Sequence, residues 1–285
     1  MSSPARVLRD RMKQGVVAAP GAFNGLVAHA VAEACFEAVY ISGGATANGC
    51  GYPDIGLVTL PDMCRTIKQV VEASGLPTIV DADTGYGDAD MAAQTCRDYA
   101  AAGAAGMHLE DQVFPKRCGH LDGKELVTTE AMCAKIEAAA AAKPDDDFVL
   151  IARTDARSVD GMDEAVERAI AYRQAGADMI FPESLRNEDE FAEFAQRCPG
   201  LLLANMTEFG KTVPLSLERY GAMGYDIVIF PVTMQRIAMK AVTDALTVLK
   251  RDGSAEGLFT SMQTRQELYD LIGYVPSEAW SQPRS

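Results

Sequence analysis

The chain has 285 residues, 48% of them apolar, 23% charged and only 7% aromatic. That apolar content excludes a disordered chain, and the length suffices to bury a large core without a disulfide or metal staple. A formal charge of −14, from 26 basic and 40 acidic residues spread along the chain, argues against nucleic acid or an anionic membrane as partner. It suits a solvated acidic surface, so an anionic small-molecule substrate would need a local cluster of arginine and metal set against the overall field.

The cysteines Cys35, Cys50, Cys64, Cys96, Cys118, Cys133 and Cys198 are odd in number and widely spaced, with no C-x-x-C. They predict neither a disulfide framework nor a zinc site, and fit a reducing compartment. The opening Met1-Ser2-Ser3-Pro4-Ala5-Arg6 lacks the apolar stretch of a signal peptide, and no run of about 18 apolar residues occurs. A soluble, cytoplasmic protein is expected.

In chain order, short β-rich runs alternate with alanine-rich stretches of helical period. The runs are Gly15–Ala19, Ala38–Ile41, Thr78–Asp81, Gly106–Leu109, Phe148–Ala152, Asp178–Phe181, Leu201–Ala204 and Asp226–Phe230. Continuous apolar runs of this length suit strands buried on both faces, as a parallel sheet requires. Between them, helical segments such as Asp90–Ala102 and Asp163–Ala175 end at Gly103 and Gly176, as helix C-termini tend to. Eight such units predict a single (β/α)₈ TIM-type barrel over residues 1–285, with 252–285 as a C-terminal helical extension that packs on a neighbouring subunit or caps its own chain. A doubly wound open sheet is the alternative, weakened because no G-x-G-x-x-G follows the first strand.

A barrel gathers its chemistry at the C-terminal ends of its strands. Those ends here carry Tyr40-Ile41-Ser42-Gly43-Gly44, Asp81-Ala82-Asp83, Glu110-Asp111-Gln112, Arg153-Thr154-Asp155, Pro182-Glu183 and Asn205-Met206-Thr207-Glu208. Asp81 and Asp83, two apart on a strand, should face the same side, and with Glu110 they make a hard-oxygen cluster suited to Mg²⁺ or Mn²⁺. A salt-bridge network with Arg153 is the rival reading of that cluster. In Lys116-Arg117-Cys118-Gly119-His120, two cations and a histidine beside a thiol could lower its pKa and make it a usable proton donor or nucleophile. His29 and His108 read as structural, His108 as a core histidine or one supporting the site from behind.

These residues resemble the isocitrate lyase and phosphoenolpyruvate mutase superfamily, in particular its short-chain 2-methylisocitrate lyases. The matching text comprises Tyr40–Gly44, Val80–Gly87, His108–Gln112, Lys116–His120, Ile151–Asp155, Asn205–Gly210 and Met262–Arg265. The Lys-Arg-Cys-Gly-His loop is specific to the lyase branch. The resemblance implies a barrel, commonly a homotetramer, whose last helix is exchanged between paired subunits. It implies Mg²⁺ held by Asp81 and Asp83 with Asp54 and Glu110 in support. It also implies substrate carboxylates bound by Ser42, Gly43, Gly44, Arg153, Asn205, Thr207, Arg236 and Arg265, with Glu183 orienting bound groups.

The reaction so implied is cleavage of 2-methylisocitrate to pyruvate and succinate. Tyr40 or a metal-bound water takes the hydroxyl proton, Mg²⁺ and Arg153 stabilise developing charge, and Cys118, on a closing loop with Gly119 and His120, protonates the departing carbanion. Two departures bear on the substrate: Ala45 stands where many relatives have a third glycine, and Val213 separates Thr212 from Pro214. 2,3-Dimethylmalate lyase and oxaloacetate hydrolase or decarboxylase are the alternatives within the superfamily. Isocitrate lyase needs insertions that this length does not hold. A non-catalytic dicarboxylate-binding barrel should have lost Cys118, Arg153 or one of the metal aspartates, and all are present.

Overall fold

The structure, a computed structural model, describes residues 2–280. Residue 1 and residues 281–285, the end of the expected extension, lie outside the described residues. Eight strands form close to the predicted runs: β1 Val17–Pro20, β2 Val39–Ile41, β3 Thr78–Asp81, β4 Gly106–Glu110, β5 Val149–Thr154, β6 Met179–Pro182, β7 Leu201–Asn205 and β8 Ile227–Phe230. All pair in parallel, in the order β1-β8-β7-β6-β5-β4-β3-β2. A bridge between Gly21 and Tyr40, with Ala22 N donating to Tyr40 O at 2.9 Å, joins β1 to β2 and completes the ring. The chain is therefore a barrel, and the open-sheet alternative falls.

The apolar runs explain the layering. Successive residues of a strand point to opposite faces, so Tyr40, Ile79, Ile151, Phe181, Leu203 and Ile229 fill the barrel axis. Their neighbours Ile41, Val80, Leu150, Ile180, Leu202 and Val228 pack outward on the helices. The helices Ala89–Ala101 and Met162–Gln174 begin one residue before the predicted segments. Gly103 and Gly176 follow their caps at φ +102° and +109°, where a side chain would be strained. A nine-residue helix, Pro4–Met12, capped by Ser3, plugs the N-terminal end of the barrel with Ala5, Leu8 and Met12.

After β8 the pattern changes. Helix Thr233–Asp252 has no buried residue, and Ile237, Val242 and Leu246 are exposed. Beside it, Val27, Ala30, Val31, Leu217, Phe230 and Met234 line an apolar groove of about 420 Å³. The extension continues as a 3₁₀ helix, Glu256–Ser261, and a helix, Arg265–Leu271, neither with a buried residue. Among the described residues, no helix is long and apolar enough to cross a membrane.

Candidate active site

A cavity of about 240 Å³ opens at the C-terminal end of the barrel. Its walls include Tyr40, Ser42, Gly44, Asp54, Asp81, Lys116, Cys118, Gly119, His120, Arg153, Glu183, Asn205, Thr207 and Arg236. Most of the expected site residues are thus brought together from separate strand ends.

The turn after β2 presses backbone against acid. Helix Gly43–Gly49 starts there with Ser42 as its cap, the Ser42 hydroxyl accepting from Ala45 N at 3.2 Å. Gly43 N donates to Asp81 Oδ2 at 2.9 Å, which ties the turn directly to the acid cluster. A Cβ on Gly43 would meet Asp81 Oδ2 at 3.0 Å, and one on Gly44 would meet Asp54 Oδ2 at 3.0 Å. A side chain at either position would crowd these carboxylates, which glycine avoids.

Asp81 and Asp83 converge, but not by strand alternation. Asp83 lies past the end of β3 at φ +46°, and its backbone N donates to Asp81 Oδ1 at 3.0 Å. The tight turn folds the second carboxylate back toward the first. Lys116 reaches into this cluster, pairing with Asp54 and lying 2.7 Å from Asp83 Oδ1. One ammonium does not balance the site. Burial and the neighbouring Asp81 push the Asp83 carboxyl up to about 6 against the pull of Lys116.

Glu110 is buried with neither carboxylate oxygen hydrogen-bonded, and Arg153 Nη1 lies 3.3 Å from its Oε2. Burial drives the Glu110 carboxyl well above its ordinary range despite Arg153 and Lys116. The rival salt-bridge reading is half right: Arg153 does meet Glu110, without satisfying it. Buried carboxylate oxygens short of positive charge are the donor type a hard divalent cation takes, so the chemistry of the cluster fits one. Among the described residues the carboxylates do not converge on a ready-made metal position, and Lys116 pairs with Asp54 and Asp83.

The Lys116–His120 loop folds over the cavity. Cys118 is partly buried, and burial raises its thiol pKa; Asp54 adds to the rise and Arg153 opposes it. The expected depression from flanking cations does not occur, because the Lys116 ammonium lies among the acids and Arg117 is exposed, its guanidinium donating to Asp122 O. A thiol that keeps its proton suits an acid rather than a nucleophile. Gly119 packs against Arg153 and Glu183: a Cβ there would lie 2.6 Å from Glu183 Cγ and closer still to Arg153 Nη2.

His120 Nε2 lies 3.2 Å from Glu183 Oε1, and its Nδ1 accepts from Lys211 N at 3.0 Å. Glu183 also takes Asn205 Nδ2 at 3.2 Å and stands 3.4 Å from Arg153 Nη2. Burial alone would raise the Glu183 carboxyl, but Arg153 and His120 outweigh it and hold it well below its ordinary range. Arg236 lines the cavity while paired with Glu208 at 3.0 Å.

Tyr40 and His108 form a pair the sequence reading did not connect. Tyr40 Oη is 2.7 Å from His108 Nε2, the rings stack, and Asp81 Oδ1 is 3.6 Å from the same nitrogen. Burial pushes His108 down to about 4, so it is neutral. Burial and Asp81 push the Tyr40 phenol well above its usual value, so Tyr40 keeps its proton at rest and is not a free base. The barrel register could have revealed the pair, since Tyr40 lies beside Ile79, and Asp81 beside His108.

Arg265 is not among the residues that line the cavity: it begins the exposed helix Arg265–Leu271. Val213 is 54% exposed and does not line the cavity either, whereas Thr212 is buried with its hydroxyl on Leu185 O. The Val213 departure therefore does not touch a substrate side group from within this chain.

Residues 8–250 match the phosphoenolpyruvate phosphomutase family. A probable 2-methylisocitrate lyase of Corynebacterium glutamicum is 50% identical, over 92% of this chain and 87% of that one. The 2-methylisocitrate lyase of Aeropyrum pernix is 46% identical, over 96% and 89%. Among solved structures, 2,3-dimethylmalate lyase, a PEP mutase/isocitrate lyase superfamily member, superposes with a TM-score of 0.90 at 39% identity, covering 96% of this chain and 92% of that one. A phosphonopyruvate hydrolase in complex with oxalate and Mg²⁺ superposes at 0.86 with 30% identity, covering 95% of each chain.

Proposed function

The chain belongs to the phosphoenolpyruvate phosphomutase family, within the PEP mutase/isocitrate lyase superfamily, and from that premise we propose that it is a lyase that cleaves 2-methylisocitrate to pyruvate and succinate. The observation that carries this reading is the seating of Cys118 beside Arg153 and Glu183 in one cavity, next to an acid cluster short of positive charge. Asp81 and Asp83, with Asp54 and Glu110 in support, would hold Mg²⁺ or Mn²⁺. When bound, the ion supplies Lewis-acid polarisation of the keto-acid oxygens.

The chain's own residues perform the rest. Arg153, Asn205, Thr207 and Arg236 bind the carboxylates, the arginine forks matching them bidentately. Tyr40 Oη accepts the substrate's hydroxyl proton as its phenol proton passes to His108 Nε2, with Asp81 facing the charge that forms. The carbon–carbon bond then breaks as the pyruvate carbonyl forms, and its electron pair moves onto the succinate fragment, spread over the adjacent carboxylate. Cys118 Sγ–H protonates that carbon. Gly119 and His120 close the cavity above it, which excludes water from the carbanion.

The extension beyond Asp252, whose 3₁₀ helix and helix Arg265–Leu271 bury no residue, and the apolar groove beside helix Thr233–Asp252 support exchange of the extension, with its Arg265, between copies in a homotetramer. The deciding assay incubates folded protein and Mg²⁺ with methylisocitrate, isocitrate and 2,3-dimethylmalate separately, and identifies both products of each. Methylisocitrate is expected to give the highest kcat/KM. No cleavage of any of the three overturns the reading.

A further inference from the structure

The Cys118 loop is held down by a contact that takes no part in the steps above. Its stem is short: Gln112 bridges Leu126 in antiparallel fashion, Val113 N donates to Glu125 O at 2.8 Å, and Val127 N donates to Asp111 O at 2.9 Å. Just above that stem, Lys124 turns inward with its side chain only 1% exposed. Its ammonium lies 2.6 Å from Asp155 Oδ1 and also donates to the carbonyl of Gly119, the residue after Cys118.

We propose that Lys124 is a positioning residue, a latch that seats Cys118 over the substrate by tying the Gly119 carbonyl to Asp155 and, through it, to Arg153. The proposal rests on the lyase reading for its functional meaning. Three features make the latch specific. Asp155 is fixed from behind, its backbone N donating to Asp111 Oδ1 at 2.9 Å. Its Oδ2 accepts from Arg153 Nε at 2.9 Å and its Oδ1 from Arg153 Nη2 at 3.2 Å, so one carboxylate holds both the substrate arginine and the loop.

The Gly119 carbonyl also accepts from Ser184 Oγ at 2.8 Å, and Ser184 sits at φ +62°, a conformation that costs a non-glycine residue energy. Two buried donors therefore converge on one loop carbonyl, from the loop's own return limb and from the end of β6. An ammonium is costly to bury unless paired. Lys124 gains its partners only while the loop is down. In a raised loop it would return to water, and Asp155 would still have Arg153.

The test compares wild type with Lys124→Met, which keeps the stem and removes the charge, and with Ser184→Ala, which removes one oxygen. For Lys124→Met, kcat on methylisocitrate is expected to fall by about 10²-fold, the scale on which a misplaced catalytic group costs rate. KM should stay within about threefold, because the carboxylate contacts remain. Iodoacetamide labelling of the metal-free proteins, mapped by mass spectrometry with exposed Cys35 as internal reference, should show Cys118 reacting faster in the variant. Wild-type kcat and wild-type Cys118 labelling in folded Lys124→Met would overturn the latch.

Should Lys124→Met not fold, Ser184→Ala decides alone: faster Cys118 labelling with lowered kcat supports the latch, and no change in either overturns it. If wild type cleaves none of the substrates, the lyase reading falls and the labelling comparison still decides the latch by itself.

Discussion

At the N-terminal end of the barrel, Asp178 accepts from Arg9 Nη2 at 2.9 Å, Lys143 Nζ at 2.8 Å and Leu150 N at 2.9 Å. At the C-terminal end, Glu110 is more deeply buried and has no hydrogen bond to either oxygen. Both are carboxylates of one β/α barrel, yet the chain compensates the first completely and leaves the second in want of a cation. The bottom of the barrel spends its polar contacts on stability. The mouth carries under-compensated acid next to a buried arginine, an arrangement that stabilises little and is useful only when a ligand completes it.

That contrast can be broken by substitutions that should act at one end and not the other. The largest effect is expected at the mouth. Cys118→Ser replaces the thiol by a far weaker acid and should lower kcat by about 10²–10⁴-fold, the range for loss of a general acid. Mg²⁺ binding by calorimetry should be unchanged. Normal turnover in that variant would remove the thiol from its role.

A smaller effect should follow pH. With its carboxyl at about 6 in the folded protein, above the usual carboxylate value, Asp83 holds a proton more readily folded than unfolded. Its contribution therefore favours the metal-free fold at low pH and is lost as pH rises through about 6. A proton at Asp83 competes with the metal, so Mg²⁺ affinity should weaken by up to about tenfold per pH unit below that value. Melting of metal-free and Mg²⁺-saturated protein at pH 5 and pH 7 reads both signs. An Mg²⁺ affinity flat across that range would show that Asp83 is not a ligand.

The smallest effect on activity should come from the bottom. Asp178→Asn leaves Arg9 and Lys143 without their carboxylate and should cost about 1–3 kcal/mol, a fall of roughly 2–4 °C in Tm per kcal/mol. kcat/KM should be unchanged. A variant that lost activity without losing stability would erase the distinction between the two ends.

The barrel was readable because most strands are apolar runs and several αβ turns carry a glycine such as Gly103 or Gly176. That Tyr40, Ser42, Asp81, Arg153, Glu183, Asn205 and Thr207 line one cavity was readable because barrel chemistry sits at strand ends, whereas Asp54 and Arg236 came only with the family resemblance. How they meet was not. Asp83 arrives through a left-handed turn, Lys116 serves the acids rather than Cys118, and Gly43 spends its amide on Asp81. Each depends on one turn or one rotamer, which residue spacing does not encode. The pairing of Tyr40 with His108, and of Lys124 with Asp155, spans 68 and 31 positions and needs the barrel register before it can be seen. The helix Pro4–Met12 was missed because nine residues carry too little periodicity to separate a plug from a surface turn.

Gly119, pressed against Arg153 and Glu183, has a consequence for stereochemistry. A loop that seats with no gap presents the Cys118 thiol to one face of the planar carbanion, and the proton it gives up enters that face alone. In heavy water the succinate released would carry its deuterium with a single handedness. A methyl group at position 119 would lift the loop, let solvent reach both faces, and give the same product with that handedness erased. The hydrogen in place of a side chain at this position thus records, in the product's isotopic chirality, whether protein or water delivered the proton.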